Sequence, residues 1–273
     1  MSLLRRSKSF IRRRLDPRGH SQFRRLRGQE RCSPAQVRAL FSLFQPFDTG
    51  IPLIRIGGDH DGGYLLPDDL DGIVASFSPG VDVTVTFDAE IAERGIPCFM
   101  ADASVQGIAV DHPLLTFDRL FVGATTEGDV ISMQDWIGKY APPEGDLLMQ
   151  MDIEGAEYDT IMAMRDADLD RFRIIVLELH DLQDAFVTGG NARLGAFMRR
   201  LTERFVICHI HPNNYARVAT IDGISFPTLP EVTLLRRDRV RADLQPTDQI
   251  PHPLDQPNVP ENPDWACPRF WAG

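Results

Sequence analysis

Seven short, almost continuously apolar runs constrain this chain more than any other feature. They lie at residues 73–77, 98–101, 114–122, 147–151, 174–179, 205–210 and 232–235. A strand buried on both faces cannot alternate polar with apolar side chains, so runs of this kind mark a largely parallel sheet covered on both sides. Helix-capable segments at 86–94, 131–140, 154–165 and 192–204 stand between them. The alternation predicts an α/β fold, a three-layer, doubly wound sheet. A further helix opens at Ser33-Pro34, with Ser33 suited to the N-cap and Val37, Leu40, Phe41 and Phe44 on one face.

Charge divides the chain differently. Residues 1–31 hold eleven basic and two acidic side chains, or +9, and the other 242 residues hold 18 basic and 37 acidic, or −19. The predicted organisation is a basic, flexible arm (1–31), a domain (32–240) and a Pro-rich extended tail (241–273). The tail carries seven prolines, with Trp265, Phe270 and Trp271 placed to fasten it to the body. An acidic body repels nucleic acid and anionic lipid, so any contact with an anionic membrane surface falls to the arm; a plain solvated tail and an Arg-rich, acid-poor transit peptide are the alternatives for the same residues. No apolar run approaches the ~20 residues that span a bilayer. Cys32, Cys98, Cys208 and Cys267 are too far apart for a zinc ribbon or a disulfide scaffold. Reduced thiols and a cytoplasmic location, peripheral to the membrane if the arm anchors, are the expectation.

Ligands of open α/β sheets bind beyond the carboxyl ends of the strands, so the residue after each run matters most. The first run ends in Ser78-Pro79-Gly80-Val81-Asp82, and the second in Asp102, 22 residues after Gly80. A glycine turn lets backbone approach a ligand, and an acid at the second strand tip accepts from both hydroxyls of a ribose. A plain turn glycine and a capping acid would look the same. Neither GxxxxGK[ST] nor GxGxxG is present. A cofactor with a ribose but no pyrophosphate needs neither, and S-adenosylmethionine is such a cofactor.

The later tips carry acids and imidazoles. Met151-Asp152-Ile153-Glu154-Gly155-Ala156-Glu157 follows the fourth run. Glu154 and Glu157 also suit a helix N-terminus, where acids complement the macrodipole; Asp152 sits at the tip itself. Alternation places Glu178 beside His180, and His209 beside His211, on common faces.

These motifs resemble the FkbM-like family of S-adenosylmethionine-dependent methyltransferases. The resemblance rests on Arg55-Ile56-Gly57, Asp61-Gly62-Gly63-Tyr64, Ser78-x-Gly80, Phe87-Asp88 and Asp102. It rests equally on the MDIEGAE run, Glu178-Leu179-His180, His211-Pro212-Asn213-Asn214-Tyr215 and Pro253-Leu254-Asp255-Gln256-Pro257-Asn258. The resemblance spans roughly residues 50–265 and leaves the arm outside. It implies a class I, Rossmann-like sheet of seven strands with the last antiparallel, and O-methylation of a sugar or glycan hydroxyl. Cofactor contacts are then expected from Arg55, Gly57, Asp61, Gly63, Tyr64, Ser78, Gly80, Asp82, Phe87, Asp102 and Asp152. Catalytic work is expected from Asp152, Glu178, His180 and His211. This chain departs from the family in lacking a second glycine after Gly80 and in reading HPNNY where HGNN is more usual.

A sugar hydroxyl is a poor nucleophile near neutral pH, so a base or a metal must assist. His180 is the candidate base, because imidazole titrates closest to working pH. In the alternative, Asp152 with Glu178 or His180 binds a divalent metal, Mg or Mn if oxygen ligands dominate. Two other classes stay open: a cofactor-binding module without turnover, and a nucleic-acid methyltransferase guided by the arm. The acidic body and the absence of an [ND]PP[YF] motif after the fourth run speak against the second.

Overall fold

The computed structural model describes Leu26 and residues 28–83 and 85–272; the arm up to residue 25, together with residue 27, lies outside the described residues. The apolar runs become β1 (Ile73–Pro79), β2 (Cys98–Ala101), β3 (Leu115–Asp118), β4 (Asp146–Met151), β5 (Phe172–Glu178), β6 (Phe205–Pro212) and β7 (Pro230–Arg236). They form one sheet in the order β6-β7-β5-β4-β1-β2-β3. Strands β1 to β5 pair in parallel, while β7 runs antiparallel to both β5 and β6. The order reverses between β1 and β4, which opens a crevice at their carboxyl ends.

Adjacent residues of a strand point to opposite faces, and the two faces feed separate cores. Ile174 and Val176 pack with Ile91, Ile96 and Leu66, whereas Ile175 and Leu177 pack with Phe77, Met149 and Phe197. Among the described residues the longer helices are α1 (Pro34–Phe41), α2 (Thr86–Glu93), α3 (Met133–Tyr140), α4 (Glu157–Ala163) and α5 (Thr188–Arg204), and a single turn lies at Asp166–Leu169. A full capping box between Ser33 and Gln36 starts α1.

Several boundaries differ from the sequence expectation. The run 114–122 is two strands: β3 ends at Asp118, whose carboxylate takes hydrogen bonds from Trp136, Lys139 and Tyr140. Phe121–Gly123 then leaves the sheet to pair with Val130–Ser132. The next helix starts late, at Met133, because Ser132 caps it by accepting from the Asp135 N–H. The helix expected from residue 154 begins at Glu157, after Glu154 (φ 56°) and Gly155 (φ 95°) have turned the chain back.

Two hairpins, which the runs did not foretell, are added to this frame. Leu53–Ile56 pairs with Tyr64–Pro67, and Val218–Ile221 with Ile224–Pro227. In the tail, Cys267, Phe270 and Trp271 are buried, and the Phe270 ring lies 5.0 Å from Phe41. The Trp265 indole donates to the Ala216 carbonyl. At the other end, the Glu30 carbonyl accepts from Thr188 and Arg31 meets Asp222 at 2.6 Å. Among the described residues no helix is long and apolar enough to cross a membrane.

Candidate functional site

Backbone hydrogen bonds stitch three strand tips into one rim. The Gly80 N–H donates to the Ala101 carbonyl at 2.9 Å, and the Asp152 N–H to the Pro79 carbonyl at 3.1 Å. This brings the turn after β1 beside Asp102 on one side and Asp152 on the other. Gly80 has φ +84°, and a Cβ there would lie 1.5 Å from the Asp152 carbonyl oxygen. Only glycine fits so close an approach. Asp102 is 8% accessible and accepts from the Ser104 N–H. Asp82 accepts from the Val83 N–H.

Other residues expected at the cofactor hold the frame in this structure. Ser78 donates inward to buried Asp88 at 2.5 Å, and burial lifts the Asp88 carboxyl to about 7. Phe87 is buried edge-on to Tyr64, and the Tyr64 hydroxyl accepts from the Gln150 amide at 3.2 Å. Arg55 clasps its own loop by donating to the Gly58 and His60 carbonyls. Gly57 and Gly63 are where that loop closes: a Cβ on Gly57 would meet the Gly62 carbonyl at 2.1 Å, and one on Gly63 the Gly58 carbonyl at 2.3 Å. Asp61 is tied through its N–H to the Asn258 carbonyl at 3.1 Å. Burial and the nearby Glu231 raise its carboxyl.

At the ends of β4 and β5 the expected catalytic acids and imidazole converge. Asp152, Glu178 and His180 each offer a ligand atom, all within 4.8 Å of one another. His180 Nε2 lies 3.5 Å from Glu178, 3.8 Å from Asp152 and 3.5 Å from Glu154. These separations are long for hydrogen bonds. The Glu178 carboxyl is pushed well up by burial and by Asp152 beside it. Burial also raises Asp152, to about 8, against the pull of His180. With 32% of its side chain accessible, Asp152 retains more help from solvent than Glu178 at 7%. Burial disfavours a charged His180, but Glu157 and the acids around it outweigh that and raise the ring to about 10. The cluster is carboxylate-rich with one imidazole at its centre.

His211 stands one step along the same sheet edge, not within that trio. Its Nδ1 is 3.2 Å from Glu231. Asn213 joins the two groups by donating to Glu178 at 2.7 Å and to Glu231 at 3.4 Å. Asn258, from the tail, donates to Glu231 at 2.5 Å, and Asp255 binds His209 at 2.8 Å. Arg55, Tyr64, His211, Glu231 and Asp255 face one small polar cavity. Glu231 was absent from the sequence expectation. The signal was available: in an antiparallel last strand the start, where Glu231 stands, and not the end lies at the rim.

Residues 108–205 match the family model of the methyltransferase FkbM domain. Over that stretch the chain is similar to FkbM methyltransferases. The matched segment covers β3 to the start of β6, and so contains the MDIEGAE turn, Glu178 and His180. Of the site described above, it supplies the acid–imidazole cluster and supports methyl transfer in general. No curated protein matches the chain.

Proposed function

We propose that this FkbM-like protein transfers the methyl group of S-adenosylmethionine to a hydroxyl of a sugar or glycan, with a divalent cation, Mg or Mn, at Asp152, Glu178 and His180. Support for the cofactor comes from the rim: a buried acid, Asp102, is held beside the Gly80 turn by the Gly80–Ala101 hydrogen bond. That acid suits the two ribose hydroxyls, as at the second strand tip of nucleoside-binding sheets. The strand order 3-2-1-4-5-7-6 with β7 antiparallel is the arrangement the family resemblance implies.

The observation that carries the reading is the set of contacts around His180. Four acidic side chains lie within 4 Å of one imidazole, more than one ring can pair with. Against the effect of burial, Glu157 and the acids around it raise the His180 ring to about 10, so the ring is a poor free base at neutral pH, and a cation at Nε2 would take the place of its second proton. Ligand atoms 3.5–3.8 Å apart stand somewhat wider than the roughly 3.0 Å between adjacent ligands of an ion at about 2.1 Å, so a small inward turn of the side chains would close them on one cation. A bound cation would hold vicinal hydroxyls and make the attacking one more acidic. Asp152 and Glu178 would orient it, and Asn213 would keep the Glu178 carboxylate in place.

The acceptor side is the edge formed by Glu178, His211, Asn213 and Glu231, where donors and acceptors alternate as a hydroxyl-rich ligand requires. We assign the arm to an anionic membrane surface on the cytoplasmic side, since residues 1–31 carry +9 while the chain as a whole carries −10.

The test is transfer of labelled methyl from S-adenosylmethionine to glycan fractions, before and after chelation. Loss of transfer on chelation, restoration by Mg²⁺ or Mn²⁺, and the deepest loss in Asp152→Asn are expected. Transfer indifferent to chelator refutes the cation. Binding of S-adenosylhomocysteine with no transfer to any fraction refutes turnover and leaves a binding module.

A further inference from the structure

Glu157 is fully buried, at 0% accessible, although the sequence alone allows it to be an ordinary helix-start acid. The turn made by Glu154 and Gly155 aims two backbone N–H groups at one of its oxygens. Oε1 accepts from Ile153 at 3.1 Å and from Gly155 at 3.0 Å, and lies 3.0 Å from His180 Nδ1. The second oxygen is buried with no hydrogen-bond partner among the described residues.

An oxygen already accepting from two amides has no proton to give. The third contact is therefore satisfied only when the hydrogen sits on Nδ1. In a neutral ring this makes Nε2 the nitrogen with the lone pair. Nε2 is also the atom that faces Asp152, Glu154 and Glu178. The ring's backbone is fixed as well, since the Tyr158 hydroxyl donates to the His180 carbonyl at 2.7 Å.

We propose that Glu157 is the positioning residue of this site, holding His180 as the Nδ1–H tautomer so that Nε2 is presented to Asp152 and Glu178. The consequence for ligand binding rests on the cation reading above; the tautomer does not. Partners of this kind orient a ligating imidazole and raise its basicity, and losing one typically weakens metal binding by about 10- to 100-fold.

The experiment uses the full chain with ¹⁵N-labelled histidine and Mg²⁺ alone as probe. His180 signals are assigned by their loss in His180→Gln. The wild type should show a protonated Nδ1 and a bare or ligating Nε2 wherever the ring is neutral. Glu157→Gln, which keeps the shape but not the charge, should bind Mg²⁺ about 10- to 100-fold more weakly. An Nε2–H tautomer in the wild type, or wild-type Mg²⁺ affinity in a folded Glu157→Gln chain, overturns the proposal. If the wild type binds no Mg²⁺, the cation reading fails, and the spectrum recorded up to the pH of the neutral ring still decides the role of Glu157. The same spectrum decides it if Glu157→Gln does not fold.

Discussion

A methyl group added to Gly80 would land 1.5 Å from the Asp152 carbonyl oxygen, 2.5 Å from its carbonyl carbon and 3.1 Å from Ile153. Two of the three are backbone atoms, so no side chain can swing aside. Relief requires the turn after β1 and the tip of β4 to part by roughly the 1.5–2 Å separating that contact from an ordinary one. The left-handed backbone at φ +84° adds about 1–2 kcal/mol for any L-side chain, and forced repacking a further ~1–3 kcal/mol. Gly80→Ala should therefore cost about 2–5 kcal/mol. Gly95 provides the control: it has φ +86° but nothing within 4 Å of its would-be Cβ, so Gly95→Ala should cost only about 1–2 kcal/mol. At ~2–4 °C per kcal/mol, thermal denaturation separates the two variants. Calorimetry with S-adenosylhomocysteine should show the damage confined to Gly80→Ala, because the rim joins Asp102 to Asp152 through that turn. Equal melting temperatures and equal affinities would refute the reasoning, since the close approach would then carry no energy.

Two other perturbations address charge. Asp88 holds its proton to about pH 7 in the fold, against an ordinary value of 3.8. The folded state thus binds the proton more tightly, and stability should fall as pH rises from about 4 to 7, by roughly 4 kcal/mol. Urea midpoints at pH 5 and pH 8 should show about 2.7 kcal/mol of this loss in the wild type and none of it in Asp88→Asn; parallel behaviour counts against it. Removing residues 1–25 should abolish sedimentation with anionic vesicles at low salt, and salt-insensitive binding by the intact chain would exclude an electrostatic anchor.

How much of this was legible in the residues follows from what each signal measures. Runs such as Ile174 to Leu179 report burial on both faces, so the central strands stood out. The hairpin Leu53–Ile56/Tyr64–Pro67 did not, because a short ribbon covering a sheet has neither continuous apolarity nor helical period. The strand-tip rule found Asp152, Glu178 and His180, which the fold does bring together. It passed over Glu231 because the rule assumes a parallel strand. It also gave Glu157 only a helix-dipole role, since the turn that aims two N–H groups at its carboxylate depends on the left-handed backbone of Glu154, which composition does not reveal. Arg55, Gly57 and Gly63 were singled out for a cofactor, and the structure shows them closing their own loop. Spacing marks such residues as constrained without saying what constrains them.

The central claim is that the rim of β1, β2 and β4 holds the methyl donor, and Asp102 tests it most directly. Calorimetric titration of S-adenosylhomocysteine into the full chain and into Asp102→Ala, with both shown to be folded by circular dichroism, separates the outcomes. Two charge-assisted hydrogen bonds to a ribose contribute roughly 2–4 kcal/mol, so the account expects wild-type binding and a loss of about 30- to 1,000-fold in the variant. A wild type that does not bind, or a folded Asp102→Ala that binds as tightly, contradicts it.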